Sequence, residues 1–259
     1  MRAPRVRLVC AFVAAFLALV LAVAVADLPS APPGQKAAAE AGLQVFPAAN
    51  DFKGRALVDL GALDDDWPAI AQTLAGLVPA DLNPAALRTV GITDPLIAGL
   101  RAMPAVAIVG SCRQFSDAES IVLTEYLRAG GRALILVRAS DPNVMRIVSV
   151  NGLMLGLDVT AILGRGPGAV EVTDHPAVAG LKNLGTAPAG VRLMAPQAEK
   201  LASAGGVTIA VAATEGQGRY AVVDASALSV ADPKDAKAVA ARDAYAKLVQ
   251  SCLAWVTAK

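Results

Sequence analysis

Residues 105–140 read, in order, AVAIVG, SCRQF, SDAESIVLTEYLRA, GG and RALILVRAS: a short apolar run, a turn, an amphipathic segment, a glycine stop and a second apolar run. Two nearly all-apolar strands bracketing one amphipathic helix are the pattern of a βαβ crossover, whose strands lie parallel and are buried on both faces. The local signals agree. Ser116 precedes the helix and Glu119 takes its third position, so the two can close a capping box over a pair of orphan amides. At the helical period, Ala118, Val122, Leu123, Tyr126, Leu127 and Ala129 gather on one side, and Asp117, Ser120, Thr124, Glu125 and Arg128 on the other. Ile121 is the exception, an apolar residue outside the apolar side. Gly130 and Gly131 supply the left-handed residue that ends a helix.

The N-terminus sets the compartment. Residues 1–26 carry Arg2, Arg5 and Arg7, then an uncharged apolar run over 8–26 that closes on Ala24-Val25-Ala26, a small-x-small cleavage site. This is an export signal, or an uncleaved membrane anchor, because the run is long for a signal core and just long enough to span a bilayer. Cys10 lies at the start of the run, where a lipoprotein cysteine does not belong. The rest of the chain is expected outside the cytoplasm, periplasmic or extracellular, since the arginines stay on the inner side. Membrane contact is expected only through residues 8–26, if they are retained. Residues 27–50, with Pro29, Pro32, Pro33 and Gly34, read as a Pro/Ala-rich linker, and 51–259 as a single α/β domain.

Composition excludes some partners. The chain is 55% hydrophobic, much of it alanine and valine, which is globular and not that of a multi-span membrane protein. Its formal net charge is +1; loss of the three leader arginines lowers Lys+Arg from 23 to 20 against 22 acids, or −2. No basic field exists to recruit nucleic acid.

Elsewhere the pattern is coarser. Residues 55–60 form a candidate first strand. Asp64-Asp65-Asp66 precedes a helix, where carboxylates suit the dipole; adjacent residues point in different directions, and no second cluster of ligand spacing accompanies them, so no metal centre is expected. Residues 157–163 read as a strand and Gly164-Arg165-Gly166-Pro167-Gly168 as a surface loop, since its spacing is not that of a phosphate cradle. Pro176 suits the first position of one helical turn. Residues 206–213 and 219–224 have the spacing of an antiparallel hairpin, and 235–258 form a long C-terminal helix.

The order of SDAESIVLTEYLRAGGRALIL, DHPAVAGL, GQGRYAVVDASALS and a terminal helix ending in LAW resembles the class I glutamine amidotransferase-like superfamily. Within it the chain is similar to exported or membrane-anchored proteins carrying the uncharacterised domain DUF4350 and to its relatives in gliding-type transporter subunits. The resemblance implies a flavodoxin-like, mostly parallel sheet with helices on both faces, joined by the C-terminal antiparallel hairpin. It also implies a ligand crevice at the C-terminal ends of the strands. Active amidotransferases place a cysteine on the elbow that here follows 135–137, where this chain has Arg138, Ala139 and Ser140. The single histidine, His175, lacks the His-x-Glu company of the active enzymes. The hydrolytic machinery is therefore read as absent, with no catalytic residue and no cofactor.

The crevice candidates are Asp59, Cys112, Arg113, Arg138, Ser140, His175 and Asp224. Arg138, at the end of a central strand, should find an anion or a carboxylate, with Asp59 and Asp224 as internal partners; either aspartate can equally be a turn former. His175 is either a crevice contact or a neutral loop residue bonded to backbone. Cys112 and Cys252 could pair in a disulfide closing a long loop, or stay as free thiols. The expected function is an exported, non-catalytic domain that binds a protein partner or a small ligand, within a membrane-associated assembly. The alternative is a hydrolase using Cys112 or Ser140 with His175. A carbohydrate-binding role would want stacking platforms, which Trp67 and Trp255 supply poorly.

Overall fold

The computed structural model describes residues 55–59, 83–86, 106–110, 115–139, 144–228 and 234–258. The chain divides into a unit of residues 1–45 and one of 46–259, and every described residue belongs to the second. The expected leader (1–26), the whole linker (27–50), Asp64-Asp65-Asp66, Cys112, Arg113 and Ser140 lie outside the described residues. Among the described residues, no helix is long and apolar enough to cross a membrane.

The βαβ unit forms where the sequence places it. Strands β3 (Val106–Val109) and β4 (Arg132–Val137) pair in parallel, joined through helix α1 (Asp117–Arg128), and every residue of both strands is buried. Alternation sorts their side chains. Val106, Ile108, Leu134 and Leu136 enter one apolar cluster, and Ala107, Val109, Ala133, Ile135 and Val137 the other. Helix α1 covers the second cluster with Val122, Leu123, Tyr126 and Leu127. Its capping box closes as expected: Glu119 N donates to Ser116 Oγ (3.3 Å) and Ser116 N to Glu119 Oε2 (3.1 Å). The long helix α3 (Ala236–Thr257), capped by Asp235, covers the first cluster with Tyr245, Leu248, Val249, Cys252, Leu253 and Val256. Burying one such aliphatic side chain stabilises by about 1.5–3 kcal/mol, so these two helices account for much of the sheet's hold.

The full sheet corrects the fold expectation. It has nine strands, in the order β2-β1-β3-β4-β11-β10-β9-β6-β7, with β1 (Arg55–Asp59), β2 (Asn83–Ala86), β6 (Gly168–Val172), β7 (Thr186–Ala187), β9 (Glu199–Ala204), β10 (Val207–Glu215) and β11 (Gly218–Asp224). From β2 to β11 each neighbour is parallel; from β11 to β7 each is antiparallel. The sheet is thus mixed and curled towards a half-barrel, not a flavodoxin-like, mostly parallel layer. The predicted hairpin is real, but β10–β11 continues through β9, β6 and β7 as half of the sheet. A shift of register at Thr208–Ala210 leaves the consecutive Ile209 and Ala210 in the same cluster, and such a bulge adds local twist.

The cover differs as well. Over the antiparallel half, the α1 face is overlaid not by a helix but by a separate ribbon of β5 (Thr160–Arg165) and β8 (Gly190–Met194), whose Ala161, Val191 and Leu193 join the cluster containing Val211 of β10. Helix α2 (Val144–Met154) ties α1 to this ribbon. Its Asn151 side chain donates to Ala161 O (2.9 Å) and accepts from Ala161 N (2.8 Å).

Candidate functional site

Parallel pairing brings the C-terminal ends of β1, β3, β4 and β11 to one edge, where Asp59, Gly110, Arg138 and Asp224 stand in the chain. This is the edge on which the crevice residues are expected. What it holds is a closed polar lock. Asp224, last in β11, has a side chain 1% exposed and accepts from four donors: Ser226 N (3.0 Å) and Ser226 Oγ (2.5 Å) at Oδ1, and Arg165 Nη2 (2.8 Å) and Val191 N (3.1 Å) at Oδ2.

Arg165 is as buried as its partner. Two further guanidinium donors go to Val191 O (3.1 Å, from Nε) and Gly166 O (2.9 Å, from Nη1). Ser226 Oγ in turn accepts from Ala139 N (2.9 Å), on the residue before Ser140. Gly190 is required here, because a Cβ would press against Asp224 Oδ2, Arg165 Nη2 and Ser226 Cβ. The lock fastens the β5–β8 ribbon to the ends of β4 and β11. With its lone pairs occupied by four donors and no water access, the Asp224 carboxylate has nothing to offer a substrate.

Two sequence expectations change on this geometry. Arg165 is not in a surface loop but ends β5 at a buried position, and it takes the carboxylate proposed for Arg138. Arg138 is itself buried at the end of β4. Tyr245 of α3 is wholly buried with a hydroxyl that finds no hydrogen-bond partner. Burial, and then the charge of Asp224, hold that phenol well above its usual pKa.

His175 sits elsewhere. Its Nδ1 accepts from Ala177 N (3.0 Å), capping the turn Pro176–Val178, and its ring meets Trp255 edge-on, 5.2 Å between centroids. Nε2 faces Glu199 Oε2 at 3.7 Å. Trp255 lies beneath the Arg219 guanidinium, 5.5 Å from its ring centroid, and accepts from Arg219 through its carbonyl. Arg219 is in register with Arg132 at the opposite end of the parallel strands from Asp224, five residues or about 16 Å away along β11. His175 therefore stands at the Arg219 end of the strands and not at the Asp224 end; Cys112 and Ser140 lie outside the described residues. Cys252 is a free thiol, fully buried on the inner face of α3, and burial pushes its pKa up to about 12; Cys112, its expected disulfide partner, lies outside the described residues. Among the described residues no group of three or more His, Cys, Asp or Glu is placed to hold a metal ion.

The open surface lies between α1 and α2. A groove of about 370 Å3 runs between them, with Asp117, Ser120, Ile121, Thr124, Glu125 and Arg128 on the α1 wall and Gly152, Leu155 and Gly156 on the other. The walls meet closely where Gly156, lacking a Cβ, admits the Thr124 hydroxyl. Its rim is apolar and wet: Ile121 is 59% exposed and Leu155 77%, and Val148, 56% exposed, stands two turns before Leu155 on α2. Ile121, the exception in the helical pattern, was the sequence signal for this face.

No family model and no curated protein matches the sequence. Solved structures do. The chain is similar to Cytoplasmic Protein STM3548 from Salmonella typhimurium, at 13% identity and a TM-score of 0.53, over 80% of this chain and 100% of that one. It is also similar to Cytoplasmic Protein STM1381 from Salmonella typhimurium LT2, at 13% identity and a TM-score of 0.50, over 78% and 99%. At these identities the likeness is one of fold. Neither is described as an amidotransferase, and with the mixed sheet this corrects the flavodoxin-like and amidotransferase-like expectation.

Proposed function

We propose that this chain is an exported, non-catalytic domain that binds a protein partner through the α1–α2 face, as part of a membrane-associated assembly. Export rests on the arginine-led apolar run of residues 8–26 and the cleavage pattern at Ala26. The observation that carries the binding reading is a contrast. The polar cluster at the strand ends is saturated by its own backbone and side chains, whereas the α1–α2 groove leaves Ile121 and Leu155 in water beside unfilled space. A hydrolase would need a base near its nucleophile, and His175 is engaged with Ala177 N and Trp255 instead.

The test is photo-crosslinking of the full chain in its native membrane, with a photoreactive residue at Leu155 or Ile121 and a control at the exposed Lys247 of α3. Discrete adducts from the groove positions and none from Lys247 are expected. Adducts from Lys247 alone, or from none of the three, overturn the reading.

A further inference from the structure

Taking the α1–α2 groove as the binding face, which rests on the reading just given, we infer that its occupant is a second copy of this chain, docked two-fold with α1 antiparallel to α1. The argument is the charge order along one face of α1. Asp117 and Arg128 are eleven residues apart, three helical turns, and therefore stand on the same face, with Ile121, Thr124 and Ser120 between them. The face begins on Asp117, carries the exposed Ile121 and the half-buried Glu125 in its middle, and ends on Arg128. Such a face is complementary to itself when reversed.

An antiparallel copy centred between residues 122 and 123 sets Asp117 of each protomer against Arg128 of the other, giving two ion pairs about 16 Å apart. Between them Ile121 of one protomer falls opposite Thr124 of the other, and Glu125 opposite Ser120, whose hydroxyl can donate to it. The space that receives Ile121 already exists in the open part of the groove, over Gly152 and beside Leu155. Gly152 is open, with nothing within 4 Å of where a Cβ would stand. Arg128 also reaches Glu215 of its own chain (2.6 Å) while its side chain stays 62% exposed, so a second carboxylate can approach it. A patch made from two short helices lies at the small end of interface sizes, so the dimer should be concentration-dependent, with a dissociation constant of about 1–100 µM.

The experiment is native mass spectrometry of the full chain released from mild detergent at about 100 µM, a concentration at the weak end of that range. The unmodified protein is expected as a dimer. Asp117→Arg alone and Arg128→Asp alone each oppose like charges twice and should weaken dimerisation by about tenfold or more. An equimolar mixture of the two single variants, one of them isotope-labelled, restores both ion pairs, so the mixed dimer is expected to form as well as the wild type. Leu155→Glu, at a position 77% exposed, is the companion variant should a charge reversal fail to fold, and it too should be monomeric. A monomeric wild type, or a mixture that gives no mixed dimer, overturns the inference. Groove crosslinks carrying a different protein overturn it and leave the binding face standing, whereas absent groove crosslinks remove both.

Discussion

Replacing Asp224 by Asn tests the lock that holds the strand ends shut. The change is isosteric and removes one charge, but it replaces an acceptor-only carboxylate with an amide carrying two donors of its own. Whichever way the amide turns, its NH2 group faces at least one backbone or guanidinium donor it cannot satisfy, either Ser226 N or Arg165 Nη2 and Val191 N. The Arg165 guanidinium, 1% exposed, then keeps its charge in a dry site without its counter-ion. Breaking a buried ion pair by removing one partner costs about 3–5 kcal/mol. At about 2–4 °C per kcal/mol for a domain of this size, the melting temperature should fall by about 6–20 °C. The assay is thermal and urea unfolding of the full chain followed by circular dichroism, with Arg165→Met and the double variant completing a cycle. The two single losses should be strongly non-additive, because each removes the same pair. A loss under about 1 kcal/mol for Asp224→Asn would refute the claim that this carboxylate is structural and saturated.

Other perturbations probe the same framework. Gly190→Ala presses a methyl against Asp224 Oδ2 and Arg165 Nη2, neither of which can move without breaking its bonds, and should cost about 1–3 kcal/mol by the same unfolding assay. Gly152→Gln, at an open helical position, should leave the monomer as stable as wild type or up to about 1 kcal/mol more so, while obstructing the groove. Measuring stability and mass together separates those effects. The Cys252 thiol, held at about 12 against an ordinary 9.0, binds its proton in the folded chain where the unfolded chain has lost it. Stability should therefore fall as pH rises from about 9 to 12, by up to roughly 4 kcal/mol from this group, and Cys252→Ala should flatten the slope between about pH 9 and 10, below the range where the raised phenols of Tyr245 and Tyr220 add to it. In native protein at pH 8, peptide mapping should find Cys252 unalkylated.

The sequence shows best where side-chain period and chain order coincide. The 105–140 unit is legible because its strands are apolar on both faces and its helix carries a capping box and a glycine stop. The C-terminal helix and the β10–β11 hairpin show for similar reasons. Strands β6, β7 and β9 do not, because GAVEV, TA and EKLASA are short, small or half polar and gain their strand character from pairing with β10 and one another. Missing them turns a mixed sheet into an apparently parallel one.

The site was legible in part. Asp224 is picked out by its place at a strand end, but its partner is not, since Arg165 is 59 residues away and sits beside Gly166-Pro167, a context that reads as loop. Counting by twos from Ala161 does not find it either, because a register shift between Leu163 and Arg165 breaks the alternation and leaves Leu163 exposed. His175 misleads because chain order alone cannot say which end of a sheet a loop returns to; its contact with Trp255 decides that. Ile121 breaks the polar side of its helix, and that breach marks the groove.

The most direct measurement is photo-crosslinking from Leu155 in the native membrane, read by intact mass against the uncrosslinked protomer of the same sample. The account predicts one discrete adduct from this position, of twice the protomer mass, and none from Lys247. A Leu155 that stays uncrosslinked while Lys247 captures a partner would contradict it.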